Sequence, residues 1–153
     1  MIDSTKGFTL VRTFEASPKE VWEAWIDPDE AAQWWHPRGA TTPRESVEID
    51  ARVGGRYTYT MVDDTTGQRV VTGGVYREVE PYERLAFTWG EPDGDPDDSP
   101  LITISLEQLD EGTRMTFDLR GIDGTRGDGS FYDGWESALD SLGDHVNPTP
   151  ARH

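Results

Sequence analysis

Between about Ser46 and Arg120 the chain is a series of short alternating segments separated by turns, and one long amphipathic segment follows. From Arg56 to Val62, for example, apolar residues occupy every second position, which is the period of a half-buried β-strand. In the final segment, Ser130 to Val146, apolar residues recur at helical spacing: Phe131, Trp135, Ala138, Leu139 and Leu142. This predicted helix is long enough to cover a sheet face, so the sequence predicts an α+β fold with an antiparallel sheet.

Two short helices are predicted directly after a first strand at residues 8–15. Ser17-Pro18-Lys19-Glu20 matches a capping box, with the serine side chain as the cap and proline in the first turn. Asp27-Pro28-Asp29-Glu30 repeats the pattern. The second helix is therefore expected to carry Ala31, Ala32, Trp34 and Trp35, and to end at His36-Pro37 because the residue before proline disfavours helical geometry.

The later strands are separated by turns and two acidic loops. Strands are predicted at Arg69–Val79, at Leu85 to Trp89, at Leu101–Leu109 and at Thr113–Arg120. The last two form a hairpin through Asp110-Glu111-Gly112, and the loops are Glu91–Pro100 and Gly121–Gly129. We expect one domain over residues 1–153, with a core from about residue 8 to residue 146 and a frayed tail at residues 147–153.

Charge and composition exclude several functional classes. Lys and Arg number 14 against 30 Asp and Glu, a formal charge of −16, which argues against binding to nucleic acid or to an anionic membrane. The absence of cysteine excludes disulfides, thiolate metal sites and a cysteine nucleophile. No apolar run approaches membrane-spanning length and the N-terminus has no signal-peptide core, so a cytoplasmic location is expected.

Several segments, in this order, resemble one known family. They are Arg12-Thr13-Phe14-Glu15-Ala16-Ser17-Pro18-Lys19-Glu20-Val21-Trp22-Glu23-Ala24-Trp25, Asp27-Pro28, Trp34-Trp35-His36-Pro37, Gly54-Gly55, Gly74-Val75-Tyr76-Arg77-Glu78-Val79, Glu83-Arg84-Leu85-Ala86-Phe87-Thr88-Trp89, Gly112-Thr113-Arg114-Met115 and Gly134-Trp135. The ordered set resembles the START-like (SRPBCC) superfamily and, within it, the family related to activators of the Hsp90 chaperone ATPase.

The resemblance implies a helix-grip fold, in which a curved antiparallel sheet wraps around the long C-terminal helix. Members of the superfamily bind hydrophobic small molecules, cyclise polyketides, stimulate the chaperone or act as resistance proteins. The family has no universal catalytic residue. The resemblance therefore implies only a location, a cavity between the sheet and the final helix that opens near the loop after the second short helix.

Aromatic residues beside a histidine are the candidate ligand site. The predicted ligand-binding residues are Trp34, Trp35, His36, Tyr59, Met61, Tyr76, Trp89, Phe117, Tyr132 and Trp135. His36 is the one weak catalytic candidate, because an unperturbed histidine titrates near neutral pH. Ordinary core packing, with His36 at a helix end in solvent, explains the same pattern, and periodicity does not distinguish a packed face from a hollow one.

Other motifs carry little chemistry. Asp93 to Asp98 resembles the start of a calcium loop, but Asp98 stands where glycine is needed and Ile104 where a bidentate glutamate is needed. The histidines His36, His145 and His153 lack metal-ligand spacing, so no metal is expected. Arg126-Gly127-Asp128 is interpreted as a chance match to an adhesion tripeptide. No nucleotide or cofactor fingerprint is present, so no cofactor is expected.

Three functions stay open at this point. The leading hypothesis is a protein that binds a small hydrophobic or aromatic molecule without established catalysis. The alternatives are a cyclase- or hydrolase-like enzyme with His36 or Tyr76 as its acid or base, and a partner of an Hsp90-type chaperone. A homodimer is considered because two-fold dimers are the commonest assembly, although the sequence indicates no interface.

The excess of acidic residues leads to a prediction about the salt dependence of stability. Two lysines stand against twelve arginines and seventeen aspartates, a bias that fits either a high-salt cytosol or the codon usage of a GC-rich genome. If the acidic surface is a salt adaptation, the midpoint of thermal unfolding should rise steadily from low to molar KCl, because salt screens the repulsion. A flat midpoint would eliminate the salt interpretation.

Overall fold

A computed structural model of the chain describes residues 5–36, 39–125, 127 and 131–146. These residues form eight strands, three α-helices and two single-turn 3₁₀ helices at Arg44–Ser46 and Pro96–Asp98. In chain order, the strands and α-helices are β1 (Gly7–Phe14), α1 (Pro18–Ile26), α2 (Pro28–Trp34), β2 (Ala40–Thr41), β3 (Glu48–Ile49), β4 (Arg56–Asp63), β5 (Arg69–Glu80), β6 (Arg84–Thr88), β7 (Leu101–Leu109), β8 (Gly112–Arg120) and α3 (Phe131–Val146). Pro37, Arg126, Asp128, Ser130 and the predicted tail with His153 lie outside the described residues.

All strand pairs are antiparallel. The order across the sheet is β1–β8–β7–β6–β5–β4–β2, and β3 also pairs with β4. The first strand thus lies beside the last one, and the helices are inserted after β1 and after β8. The predicted α+β class and helix-grip arrangement are confirmed. No described helix combines the length and apolar character needed to cross a bilayer.

The hairpin of β7 and β8 follows the predicted alternation. Leu109 pairs with Gly112, so the turn contains only Asp110 and Glu111. Along β8 every second side chain is buried, and these include Met115, Phe117 and Leu119. The strands β2 and β3 were not predicted, because two residues are too few to show an alternating pattern.

The two proline-containing motifs begin two helices, as the sequence predicts. Ser17 Oγ accepts a hydrogen bond from the Glu20 backbone N–H at 3.2 Å. Asp27 follows α1 and caps α2, and its Oδ1 accepts from the Asp29 N–H at 2.8 Å. The prediction that α2 carries Trp35 was wrong by one residue, since α2 ends at Trp34 and Trp35 is its C-terminal cap.

The helix α3 is fixed to the sheet side by apolar packing and to its neighbours by charge. Trp135, Ala138, Leu139 and Leu142 of the predicted stripe are buried, whereas Phe131, at the first position of the helix, is exposed. From β1, the Arg12 guanidinium lies 3.8 Å from a Glu136 carboxylate oxygen and 3.6 Å from one of Asp140. At the far end of α3, His145 Nε2 lies 3.2 Å from Glu30 Oε1 on α2. These contacts hold α3 against both the sheet and the short helices.

In the middle of β5, the backbone at Gly74 lies very close to the Thr88 carbonyl of β6, and the same carbonyl anchors Tyr57 of β4. A Cβ atom added to Gly74 would lie 2.0 Å from the Thr88 carbonyl oxygen, so only glycine fits there. That same carbonyl accepts a hydrogen bond from the Tyr57 hydroxyl at 2.6 Å. The register then shifts between Tyr76 and Glu78, a bulge of the kind that bends a strand and increases its twist.

The cap of α1 provides a stability test. Ser17→Ala removes the acceptor for the Glu20 N–H, and we expect the free energy of unfolding to fall by about 1 kcal/mol in chemical denaturation. Ser17→Asn keeps a side-chain oxygen at the cap and should retain most of the stability. Equal losses in the two variants would contradict the capping role.

Candidate functional site

A cleft of about 250 Å³ lies between β4, the end of α2 and one face of α3. We call it the aromatic cleft. Its walls are Trp35, His36, Tyr59, Met61, Trp89, Phe131, Gly134, Trp135 and Ala138. None of these side chains is an acid, a lysine or an arginine, so the chemistry of the walls is aromatic and neutral except where His36 is protonated.

Secondary structure explains why these side chains converge. On α3, Phe131, Trp135 and Ala138 lie at spacings of four and three residues, which places them on one helical face. On β4, Tyr59 and Met61 are two residues apart and therefore point to the same side of the sheet. The cleft is the place where one helix face meets one strand face.

Trp35 forms the inner wall by stacking. Its ring lies 4.2 Å from the ring of Tyr59 with an interplanar angle of 13°, and 5.3 Å from the ring of Tyr57 at 25°. Such offset aromatic pairs contribute about 0.5–1.5 kcal/mol each beyond the area that they bury. The Trp35 side chain is 2% exposed, so packing against the protein core holds this wall of the cleft in place.

Another part of the wall is formed by Trp89, which follows β6. Its backbone N–H donates to the Pro100 carbonyl at 2.9 Å, and its indole N–H donates to the Tyr59 hydroxyl at 3.3 Å. Its ring contacts Trp135 at 5.4 Å and Phe131 at 5.7 Å, both edge to face. Burial raises the pKa of Tyr59 above the usual range of a tyrosine, so its phenol stays protonated at neutral pH.

Among the described residues of the cleft, His36 is the one whose side chain can titrate near neutral pH. Its Nδ1 lies 3.1 Å from Thr42 Oγ1, and Thr42 Oγ1 donates to the Trp35 carbonyl at 2.9 Å. Burial lowers the pKa of His36, and the nearby Asp64 carboxylate offsets part of that effect. The lowered pKa makes the neutral form of the imidazole predominate at pH 7.

Two indole N–H groups in the cleft walls are unpaired. Trp35 Nε1 and Trp135 Nε1 are buried and have no hydrogen-bond partner in the part of the chain that the structure describes. An unsatisfied buried donor costs about 1–3 kcal/mol. Both unpaired donors belong to residues in the walls of the aromatic cleft. The indole N–H groups of Trp25, Trp34 and Trp89, in contrast, each have an acceptor.

The structure brings six of the ten predicted ligand residues into the cleft. They are Trp35, His36, Tyr59, Met61, Trp89 and Trp135. The other four, Trp34, Tyr76, Phe117 and Tyr132, do not line it.

Those four belong to the surrounding core. Trp34 donates its indole N–H to the Ala24 carbonyl at 2.9 Å and so joins α2 to α1. Tyr76 packs 5.9 Å from Phe87, and its pKa is raised mainly by burial. Phe117 lies 4.8 Å from Trp135, and Tyr132 packs against Phe8.

Four residues that matter to the cleft were not predicted as site residues. Phe131, Gly134 and Ala138 line it, and Thr42 holds His36. Phe131 and Ala138 had a usable signal, since they share the helical face of Trp135. Thr42 lies between β2 and the 3₁₀ turn, in a segment without periodicity, so no sequence pattern indicated it.

Metal binding finds no support in the described residues, where no three His, Asp or Glu side chains converge on one point. The calcium-like loop is organised by its own turn. Asp95 Oδ1 accepts from the Asp97 N–H at 2.9 Å, and the Asp97 carboxylate pairs with Arg77 at 2.8 Å.

Comparisons with known proteins agree with the observed fold. The family model described as Activator of Hsp90 ATPase homolog 1-like protein matches residues 15–147. The search of curated proteins gives no match.

Solved structures resemble nearly the whole chain. A crystal structure of a protein from Chromobacterium violaceum is 32% identical, with a TM-score of 0.80, and the alignment covers 94% of this chain and 99% of that one. The AHSA1 protein from Silicibacter pomeroyi is 27% identical, with a TM-score of 0.74 and coverage of 90% and 95%. A protein from Nitrosomonas europaea at 23% identity shares the fold, with a TM-score of 0.77 and coverage of 95% and 96%.

The family match spans most of the chain and agrees with the sequence-based resemblance, so that prediction is confirmed. The chain belongs to the Activator of Hsp90 ATPase homolog 1-like family of the START-like superfamily.

Proposed function

We propose that this protein binds a small, uncharged, planar molecule in the aromatic cleft. The observation that carries the proposal is a space of about 250 Å³ walled by five aromatic rings, those of Trp35, Tyr59, Trp89, Phe131 and Trp135. Ligand sites are typically concave and mostly apolar, with a few polar groups that orient the ligand. Here the polar groups are His36 and Tyr59.

Gly134 supports the proposal because nothing in the packing requires a glycine there. A glycine inside a helix costs about 1 kcal/mol relative to alanine. A Cβ atom added at Gly134 would meet no atom within 4 Å, and the residue lines the cleft. The missing side chain therefore enlarges the cleft at a cost to helix stability, which is understandable if an occupant needs the room.

The chemistry of the walls favours an uncharged occupant. Tyr59 stays protonated and His36 is mainly neutral at pH 7, so none of the wall residues that the structure describes provides a full charge to pair with an ionised ligand. An unpaired charge transferred to such a site would lose its hydration without compensation. Flat aromatic rings, in contrast, offer stacking surfaces for a planar molecule.

Substitution of Gly134 separates binding from folding. Gly134→Leu should fill the cleft and weaken the binding of 2-methoxynaphthalene by at least about tenfold, or about 1.4 kcal/mol, in isothermal titration calorimetry. Gly134→Ala is the matched control, because it adds one methyl group and should raise the free energy of unfolding by about 0.5–1 kcal/mol.

Thermal unfolding of both variants shows whether the helix is intact. A folded Gly134→Leu protein that binds the probe as tightly as the original chain would place the probe outside the aromatic cleft, and the proposal would be wrong.

A second candidate function is catalysis in the same cleft, and the observation that favours it is a neutral histidine in the wall. Since Tyr76 does not line the cleft, His36 is the acid or base that this alternative requires. Its Nδ1 contacts a threonine hydroxyl, so in the described structure no carboxylate orients the ring through a hydrogen bond. Turnover of a candidate substrate that survives His36→Ala would exclude His36 from that role.

A further inference from the structure

A buried chain of two hydrogen bonds fixes the proton position on His36. Thr42 is 3% exposed, and its hydroxyl bridges His36 Nδ1 at 3.1 Å and the Trp35 carbonyl oxygen at 2.9 Å. A threonine hydroxyl has one proton to donate and lone pairs with which to accept. Because the carbonyl of Trp35 is only an acceptor, the hydroxyl proton must point towards it.

The direction of this bond determines the histidine tautomer. If Thr42 donates to Trp35, its oxygen is left to accept, and His36 Nδ1 must carry the proton that completes the second bond. The reverse arrangement is disfavoured, because it would leave the buried Trp35 carbonyl without the hydrogen-bond donor that Thr42 provides. In the neutral imidazole the other nitrogen, Nε2, then has a free lone pair.

Nε2 is the ring nitrogen left for an occupant of the cleft. His36 lines the aromatic cleft, Nδ1 is engaged by Thr42, and Nε2 has no hydrogen-bond partner among the residues that the structure describes. A lone pair in a mostly apolar cleft is a strong recognition element, since a ligand without a complementary donor leaves it desolvated and unpaired.

We propose that His36 Nε2 accepts a hydrogen bond from the ligand, so that the aromatic cleft selects planar molecules carrying a hydroxyl or N–H group over their ether analogues. This inference rests on the proposed function, and it adds the chemical class of the ligand. Thr42 is the positioning residue, because its hydroxyl holds the imidazole in the tautomer that accepts.

Tyr59 explains why an ether is a suitable comparison. Its protonated phenol is a donor, so both a hydroxyl oxygen and an ether oxygen can accept from it. A methyl ether therefore keeps the aromatic rings and the acceptor oxygen of the ligand, and replaces the donor proton by a methyl group. The pair 2-naphthol and 2-methoxynaphthalene isolates the bond to His36.

The experiment is a thermodynamic cycle over ligand and protein, measured by calorimetry at pH 7. For the original chain and for each variant, we measure the dissociation constants of 2-methoxynaphthalene and 2-naphthol. The result compared between proteins is the ratio of these constants, ether over naphthol. His36→Phe removes the acceptor, and we expect the ratio to fall about three- to tenfold, the usual value of one net hydrogen bond. His36→Gln provides an amide oxygen and should restore part of the ratio.

The positioning role of Thr42 is tested by the same ratio of dissociation constants. Thr42→Val removes the hydroxyl with little change in shape and should lower the ratio, whereas Thr42→Ser keeps the hydroxyl and should preserve it. A purely structural role for Thr42 would weaken both ligands equally and leave the ratio unchanged. Thermal unfolding of each variant confirms that the compared proteins are folded.

The outcomes are distinct. If His36→Phe leaves the ratio of dissociation constants unchanged, the proposed hydrogen bond to His36 is wrong, while the proposal of binding in the aromatic cleft is unaffected. If neither naphthalene binds the original chain, the proposed function fails together with this inference. A ratio that falls in His36→Phe and Thr42→Val, and is kept in Thr42→Ser, supports the selection of donor-bearing ligands.

Discussion

The indole of Trp25 is the contact on which the arrangement of the elements depends. It lies on α1, and its N–H contacts the sulfur of Met115 on β8 at 3.3 Å. Its ring also packs edge to face against Trp34 of α2 at 4.6 Å and is stacked 6.4 Å from Trp135 of α3. One buried side chain thus connects both short helices, the sheet and the long helix.

This packing sets how far α3 can approach the sheet. Around Trp25 the space between α3 and the sheet is filled, because Trp25 and Phe117 both contact the ring of Trp135. Trp135 also lines the aromatic cleft, whose other walls come from α3 itself, from β4, from the end of α2 and from Trp89 after β6. The same bulky residue therefore closes the core and supports the cleft, and the cleft keeps its width because the rings behind it are close-packed.

The sequence predicted the elements well because the signals are local. The alternation in β8 and the helical stripe in α3 depend only on residues a few positions apart, and both were confirmed. The cleft is different, because it depends on where distant elements meet. Trp34 and Trp35 are adjacent, yet the first packs on α1 and the second lines the cleft.

The tyrosines also show that sequence periodicity does not predict which buried residues line the cleft. Tyr57 and Tyr59 lie on one face of β4 and are both buried, but only Tyr59 is in the cleft wall. Tyr57 packs instead against the rings of Tyr76 and Phe87. Tyr76 shows the aromatic character of a wall residue and instead packs with Phe87. Periodicity identifies a buried face, and the approach of another element decides whether that face is covered.

The charge of the protein and the chemistry of its cleft are separate properties. The sequence has a net charge of −16, yet no acidic residue is found among the described walls of the cleft. Burial shifts the pKa of Tyr59 upwards and the pKa of His36 downwards, both towards the neutral form. An uncharged ligand is little affected by the field of the acidic surface. Discrimination between such ligands must then come from shape and from hydrogen bonds. In the aromatic cleft the directional groups are the proton of Tyr59 and the lone pair of His36, and the second is fixed by Thr42.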